Sequence, residues 1–496
     1  MVRGVLLQRF VRAGRVIACS ALLAACAQIH NEPINQPLTS GLQMSADLNR
    51  EVDTYYDDTV VALSFSGGGT RAAAFSYGVL TAMDETTLPG RSTALIDRVD
   101  FVTGVSGGSI LAAYYGLKKR KALVDFKQRF LLRNPEENLK MDLSLLNIAR
   151  GLQGGINDPT VFPRWLDDNL YDHATFKSLL TQRRPFVWIN ASDIYDRTPF
   201  VFGRVLFGAL CSDLATYPIS MAVAASAAVP VVFAPVVIEG YPGRCPIPLP
   251  DWVTRVRRNP DAPPLLRYFA DAMYRYHSGE VHYVKLLDGG MVDNYGLAGF
   301  TIARLASETP YGPLEPEEGV KLRRLLFLVA DAGRAPAGDW VKTVEGPSGA
   351  NLITASSDTA TGSGASGSYT AFQDTMARWQ QSLIDWRCKL SAAERRRYGA
   401  PAAWNCRDLK IFVGRVSFDQ FDDQRAAKLN AIVTSFKLPP DQIDTLIAAG
   451  HDAVKSSGVF NAFLNSMGGG PKARPPRARG RPLVSSAAPP QEALAQ

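Results

Sequence analysis

Apolar positions along the chain follow two alternating rhythms: short unbroken runs rich in β-branched residues, and longer stretches in which apolar residues return every three or four positions. The first run, Thr59–Ser66 (TVVALSFS), is apolar without alternation, the pattern of a parallel strand covered on both faces. A glycine turn and an alanine-rich helix over Thr70–Met83 follow it. Val99–Val105 (VDFVTGV) predicts a second strand and Ser109–Arg120 a second helix, with Lys118, Lys119 and Arg120 at its carboxyl end, where cations suit the helix dipole. Phe186–Asn190, Val284–Leu287 and Leu325–Ala330 read as further central strands. Strands alternating with helices argue for an α/β sandwich around a largely parallel sheet.

Beyond this body the rhythm changes. Gly346–Ser368 (GPSGANLITASSDTATGSGASGS) is poor in large apolar residues and reads as a low-complexity loop. One strand, about Leu409–Val416, and two amphipathic helices, near Asp423–Phe436 and Pro440–Ser456, come after it. The boundaries expected are therefore a body over 59–340 and a mixed helical C-terminal part over 341–466, which either completes the same sheet or stands apart. Tyr241–Pro250, with its PGRC and PIPLP segments, reads as an irregular insertion. The 496 residues suffice for one large domain or two to three smaller ones, and 46% apolar against 20% charged residues is a globular balance.

Charge is informative through its placement. The first 25 residues hold Arg3, Arg9, Arg12 and Arg15 and no acid, and the tail from Gly469 holds five basic residues against Glu492, so of the net +7 the body keeps about −1. A near-neutral body carries no nucleic-acid footprint. The basic tail, 467–496, is rich in Pro and Gly and reads as a solvated extension, with contact to anionic headgroups as the minority reading. At the N-terminus a basic stretch is followed by VIACSALLAA, too short to span a bilayer and suited to the h-region of a signal peptide, residues 1–25. Leu23-Ala24-Ala25-Cys26 resembles the lipobox of bacterial lipoproteins, which implies a lipid-bearing Cys26 at the head of a polar tether over 26–58. A simple secretory signal with a chance cysteine is the plainer alternative. Ala27 in place of an aspartate favours the outer membrane under the sorting rule of enteric lipoproteins.

Export leaves Cys211, Cys245, Cys388 and Cys406 in an oxidising compartment, where their grouping makes Cys211–Cys245 and Cys388–Cys406 the shortest-loop pairing. With no CxxC and five scattered histidines, neither a zinc site nor another metal is expected.

Three motifs carry chemistry, each at an expected strand end. Gly67-Gly68-Gly69-Thr70-Arg71 joins the first strand to its helix, and glycines there let successive amides and the helix N-terminus hold an anion. Gly104-Val105-Ser106-Gly107-Gly108 joins the second strand to its helix; a nucleophilic serine needs such a sharp turn with small neighbours. Asp288-Gly289-Gly290 ends the run YVKLL, where an acid at a strand's carboxyl end sits among ligands, although an Asp-Gly turn alone is the plainer reading. A P-loop is excluded because the glycine segment lacks a GK[ST] ending.

Together the three motifs resemble the patatin-like phospholipase family, with its GGGxRG loop, GxSxG elbow and distal DGG. Ala225-Ser226-Ala227-Ala228-Val229-Pro230 and Asn294 extend the similarity, which covers about Thr59 to Gly333. Ala72 replaces the family's glycine after the arginine. The resemblance implies a three-layer patatin-like sandwich and a cofactor-free lipid acyl hydrolase of the phospholipase A or lysophospholipase type. It implies Ser106 as nucleophile and Asp288 as general base, with Gly67, Gly68, Gly69 and Arg71 at the oxyanion and Gly104, Gly107 and Gly108 shaping the elbow. Arg71 is either a brace for the loop or a phosphate contact. Asp293 reads as turn chemistry. Two rivals stand: a Ser-His-Asp triad esterase, for which His451 has the right order in the chain, and a noncatalytic lipid-binding envelope lipoprotein.

Overall fold

The computed structural model describes residues 31–39, 58–88, 92–137, 139, 154–336, 339–347 and 349–468. The signal segment 1–25, Cys26, most of the 26–58 tether and the tail from 469 lie outside these residues. Among the described residues no helix is long and apolar enough to cross a membrane.

Among the described residues eight strands form one sheet: β1 (Thr59–Phe65), β2 (Phe101–Val105), β3 (Phe186–Asp193), β4 (Thr198–Phe202), β5 (Val236–Glu239), β6 (Tyr283–Asp288), β7 (Arg324–Asp331) and β8 (Lys410–Ser417). Their order is β5-β6-β3-β2-β1-β7-β8, with β4 folded back on β3. The stretch from β3 through β2, β1 and β7 to β8 is parallel throughout. Unbroken apolar runs are required here because successive side chains enter different cores. Val61, Leu63 and Phe65 of β1 enter the larger core, while Val60 and Ala62 enter the second; Leu326 and Leu328 of β7 alternate in the same way with Leu325 and Phe327. The result is three layers, helix, sheet and helix, an α/β sandwich around a largely parallel sheet.

The helices that matter for the site are α1 (Gly69–Asp84), α2 (Gly107–Lys118), α3 (Ile219–Ser226), α4 (Ala350–Lys389), α5 (Asp423–Ala431) and α6 (Pro440–Ser456). The C-terminal part joins the same sheet through β8, and α6 packs on α1 with the backbones in contact. A Cβ at Gly78 would collide with the Ile447 carbonyl, and one at Gly450 with the Phe75 carbonyl.

Three expectations change. The 346–368 loop is helical from Ala350 as the first half of α4. Its second half sets Phe372, Met376, Trp379 and Leu383 into the second core, joined by Ala365 from the first half, and extending an anchored helix through Ala, Thr and Ser costs little once the nucleus exists. β4 and β5 emerge as short strands that the apolar pattern did not mark. β6 runs antiparallel to β3, Ala191 facing Asp288 and Asp193 facing Leu286, so it descends from beyond the carboxyl ends of its parallel neighbours and delivers Asp288 level with them. Cys211–Cys245 and Cys388–Cys406 are disulfide-bonded, as the shortest-loop pairing has it.

Candidate active site

The chain leaves β2 through Ser106, whose φ of 51° and ψ of −125° place a non-glycine residue in a strained conformation. Strain of this kind persists only where the surroundings over-determine it. The Ser106 amide donates to Ser226 Oγ at 2.8 Å, and Ser226 Oγ donates in turn to the Asn190 carbonyl at 2.5 Å. Asn190 Nδ2 is tied to Thr103 Oγ1 (2.7 Å) and the Gly104 carbonyl (2.9 Å), and Ser109 Oγ donates to the Ser106 carbonyl at 2.6 Å. Gly107 and Gly108 are needed because a Cβ on either would strike the backbone of the neighbouring turn, at Gly69 and Phe65 respectively. The two strand-to-helix turns thus lie against each other with their helix N-termini side by side.

Ser106 is almost fully buried, at 6% exposure, and its Oγ donates to Asp288 Oδ2 at 2.7 Å. The other carboxylate oxygen accepts the Gly290 amide at 2.8 Å. The backbone of this turn is pinned by Asp288 N–H to the Ala228 carbonyl and Gly289 N–H to the Ser226 carbonyl, and Ser192 Oγ donates to the Asp288 carbonyl at 2.9 Å. Protein surrounds the carboxyl on most sides. Burial pushes its pKa up to about 6, against the opposing pull of the bonds from Ser106 and Gly290.

The glycine turn divides its amides. Gly67, expected to lend its amide to an oxyanion, spends it on the Asn294 carbonyl at 3.1 Å. Gly68 and Gly69, at φ 138° and 59°, donate to no partner among the described residues, and the first-turn amide of Gly107 lies beside them. Two to three free amides at adjoining helix starts can receive a developing negative charge. Asn294 stands between the turns, its Oδ1 packed on both Gly67 and Gly290. Asp293 is turn chemistry, its carboxylate accepting from the amides of Tyr295 and Ala298.

Arg71 departs from the oxyanion grouping. Its Nε donates to the Ala332 carbonyl (2.9 Å) and its Nη1 to the Ile432 carbonyl (3.1 Å), so it acts as the brace of the two expected roles. Further support, unforeseen in the sequence, comes from the segment after α5. Thr70 N–H donates to the Ser435 carbonyl at 2.9 Å and Thr70 Oγ1 to the Phe436 carbonyl at 2.8 Å. Glu136 Oε1 accepts from both Ser435 Oγ and the Phe436 amide, each at 2.8 Å. No side-chain pattern could have signalled a contact made mainly through carbonyls.

His451 is not part of the cluster. Its Nε2 contacts Glu85 Oε2 at 2.8 Å, beyond the far end of α1, roughly 24 Å from the glycine turn for a 16-residue helix. Of the other described histidines, His173 faces Asp167 and Asp168, His282 faces Glu239, and His277 lies against the Cys211–Cys245 disulfide. That last trio is the one group among the described residues with metal-ligand spacing, and its sulfurs are bonded to each other.

The sequence model of the family described as Patatin-like phospholipase matches residues 63–301, a span that includes both turns, Ser226, Asp288 and Asn294. No curated protein matches the sequence. Among solved structures, human GIVD cytosolic phospholipase A2 is similar at 12% identity, over 88% of this chain and 68% of that one, with a TM-score of 0.41. VipD from Legionella pneumophila is similar at 14% identity, over 82% of this chain and 67% of that one, with a TM-score of 0.31.

Proposed function

We propose, for a chain that carries a patatin-like phospholipase domain over residues 63–301, a lipid acyl hydrolase that works through a Ser106–Asp288 dyad and an acyl-enzyme. The observation that carries this reading is the 2.7 Å bond from Ser106 Oγ to Asp288 Oδ2 at the meeting of two helix N-termini.

In the forward step Ser106 Oγ attacks the ester carbonyl as its proton passes to Asp288, and the negative charge on the former carbonyl oxygen gathers at the amides of Gly68, Gly69 and Gly107. Asp288 returns the proton to the departing alcohol. Water, deprotonated by the same carboxylate, then releases the fatty acid and restores Ser106. A carboxyl raised to about 6 is a stronger base than an ordinary aspartate and stays ionised at neutral pH, which suits a dyad without histidine. The phospholipase A and lysophospholipase readings share this chemistry and differ only in which ester enters.

The N-terminal pattern and the two disulfides support an exported protein held by lipid on Cys26 in the cell envelope, on the outer membrane. Such a tether keeps the enzyme at high local concentration beside bilayer substrate.

The test is twofold. A fluorophosphonate should label wild-type protein at Ser106, and Ser106→Ala and Asp288→Asn should each abolish fatty-acid release from phospholipid and from a p-nitrophenyl ester while the thermal unfolding midpoint holds. Hydrolysis retained by either purified variant rules the dyad out, and absence of labelling favours a noncatalytic lipoprotein. Metabolic labelling with palmitate that survives Cys26→Ala rules out the anchor.

A further inference from the structure

Residues 31–39 follow directly on the expected lipid site and are held on the protein by specific contacts. Asn35 is 3% exposed and caps the outer edge of β5 as a neighbouring strand would. Its Nδ2 donates to the Glu239 carbonyl (2.8 Å) and to Ser212 Oγ (2.9 Å), and its Oδ1 accepts the Glu239 amide (3.0 Å). Tyr241 Oη donates to the Asn35 carbonyl at 2.6 Å. Asp213 N–H reaches the Gln36 carbonyl and Leu38 N–H the Cys211 carbonyl. The segment is a strap, and the place where it is fastened fixes where Cys26 leaves the folded body.

That place can be located by register. Asp288 pairs with Ala191, one residue past the Val105–Asn190 pair, and so lies level with Ser106; Leu286 pairs with Val236, and Tyr283 with Glu239. Glu239, and Asn35 with it, therefore stands five residues along β6 from Asp288, roughly 17 Å at about 3.3 Å per residue. The direction is the one in which the parallel strands point. The strap is fastened at the end of the sheet on which the site opens, on a rim that projects beyond it.

The same rim carries exposed apolar and aromatic side chains. Tyr283 is the Glu239 partner and is 46% exposed; Ile194 N–H donates to the Lys285 carbonyl, and Ile194 and Tyr195 are 39% and 65% exposed. Lys285 Nζ lies 5.1 Å from the Tyr283 ring. Tyrosines with one apolar face and one polar tip, a lysine beside them and an isoleucine ahead form the side-chain set that settles at a bilayer's headgroup level. Beside the site, Val229, Val231 and Met291 are exposed as well.

We propose that this rim, Ile194, Tyr195 and Tyr283 together with the strapped residues 31–39, is the face by which the protein rests on the membrane that anchors it. Cys26 lies nine residues before Asn35, a reach of at most about 30 Å, so the anchor holds the rim against its own bilayer and turns the crevice towards it. The inference rests on the readings of Cys26 as lipid-bearing and of the chain as a lipid hydrolase, and the experiment separates the three.

Full-length protein is placed on phosphatidylethanolamine–phosphatidylglycerol vesicles that contain a diazirine-bearing phospholipid, and adducts are mapped after illumination. Adducts are expected in 31–39, 194–197 and 282–285 and not at the opposite ends of the strands, around Arg323 and Lys410. Adducts concentrated at those opposite ends overturn the proposal whether or not the chain is lipidated or active. The variant Ile194→Ser/Tyr195→Ser/Tyr283→Ser is expected to lose about tenfold in hydrolysis of vesicle phospholipid and to stay within twofold of wild type on a water-soluble p-nitrophenyl ester. Equal loss on both substrates, or on neither, overturns it too. Wild-type protein inactive on both substrates counts against the hydrolase alone, and absent palmitate labelling against the anchor alone.

Discussion

The two turns that meet at the candidate site are held in opposite ways. The serine turn is braced from inside the family-matched span: Ser226, Asn190 and Ser109 hold its backbone, and all lie within 63–301. The glycine turn, apart from the Gly67 amide held by Asn294, is braced from outside. Ala332, Ile432, Ser435 and Phe436 receive its donors, and Glu136 fixes the last two from behind. Ser106 and the amides of the glycine turn thus depend on different parts of the chain. The family-matched span holds Ser106 and Asp288 but not all of the contacts that shape the glycine turn.

Substitutions can break this contrast. The largest effect is expected from Gly69→Ala, because a Cβ there would lie 2.6 Å from the Ser435 carbonyl oxygen at a φ of 59°. Either the turn or the outer brace must move, and kcat on a soluble ester should fall at least about 100-fold, the scale of one lost oxyanion donor. Ser226→Ala comes next. It leaves the buried Ser106 amide without an acceptor, a cost of about 1–3 kcal/mol, and kcat/KM should fall roughly ten- to a hundredfold.

Glu136→Ala should lower kcat about tenfold with KM unchanged, as a carboxylate that touches no substrate would through Ser435, and Glu136→Gln, which keeps an acceptor, should restore it. Unchanged kcat in the alanine variant would make the outer brace dispensable and the two turns equivalent. The smallest effect is expected on the acid limb. A protonated Asp288 cannot accept the serine proton, so kcat/KM should drop as pH falls through about 6, and this midpoint should be the same in wild type and Glu136→Gln. A limb that moves with Glu136 would mean that brace and base are coupled.

The same contrast describes what the sequence discloses. The serine turn was legible because its needs are local: small residues around Ser106 and an apolar run before it. Asp288 was legible as a motif, although its strand's direction was not, since an apolar run reads the same in a parallel and an antiparallel strand. Ser226 stood out only through the Ala/Ser-rich stretch that resembles the family. The outer brace was invisible, because carbonyls of residues 432–436 accept bonds whatever their side chains are. The composition of the first half of α4 is that of a loop. Its stripe from Ala365 to Leu383 keeps the helical period, but the Gly, Ser and Thr ahead of it mask a helix that propagates from the packed half. The disulfides follow the shortest-loop pairing, as each of the four described cysteines pairs with its nearest described neighbour in sequence.

Thr70 and its partner Phe436 are separated by 366 positions. A nascent polypeptide emerging from the ribosome presents Ser106, Ser226 and Asp288 long before Ser435 appears. Thr70 and Arg71 of the glycine turn lack their acceptors at 432–436 until most of the chain has been made. Order of synthesis thus sets order of assembly: the serine turn can be framed first, and the outer contacts of the glycine turn close last.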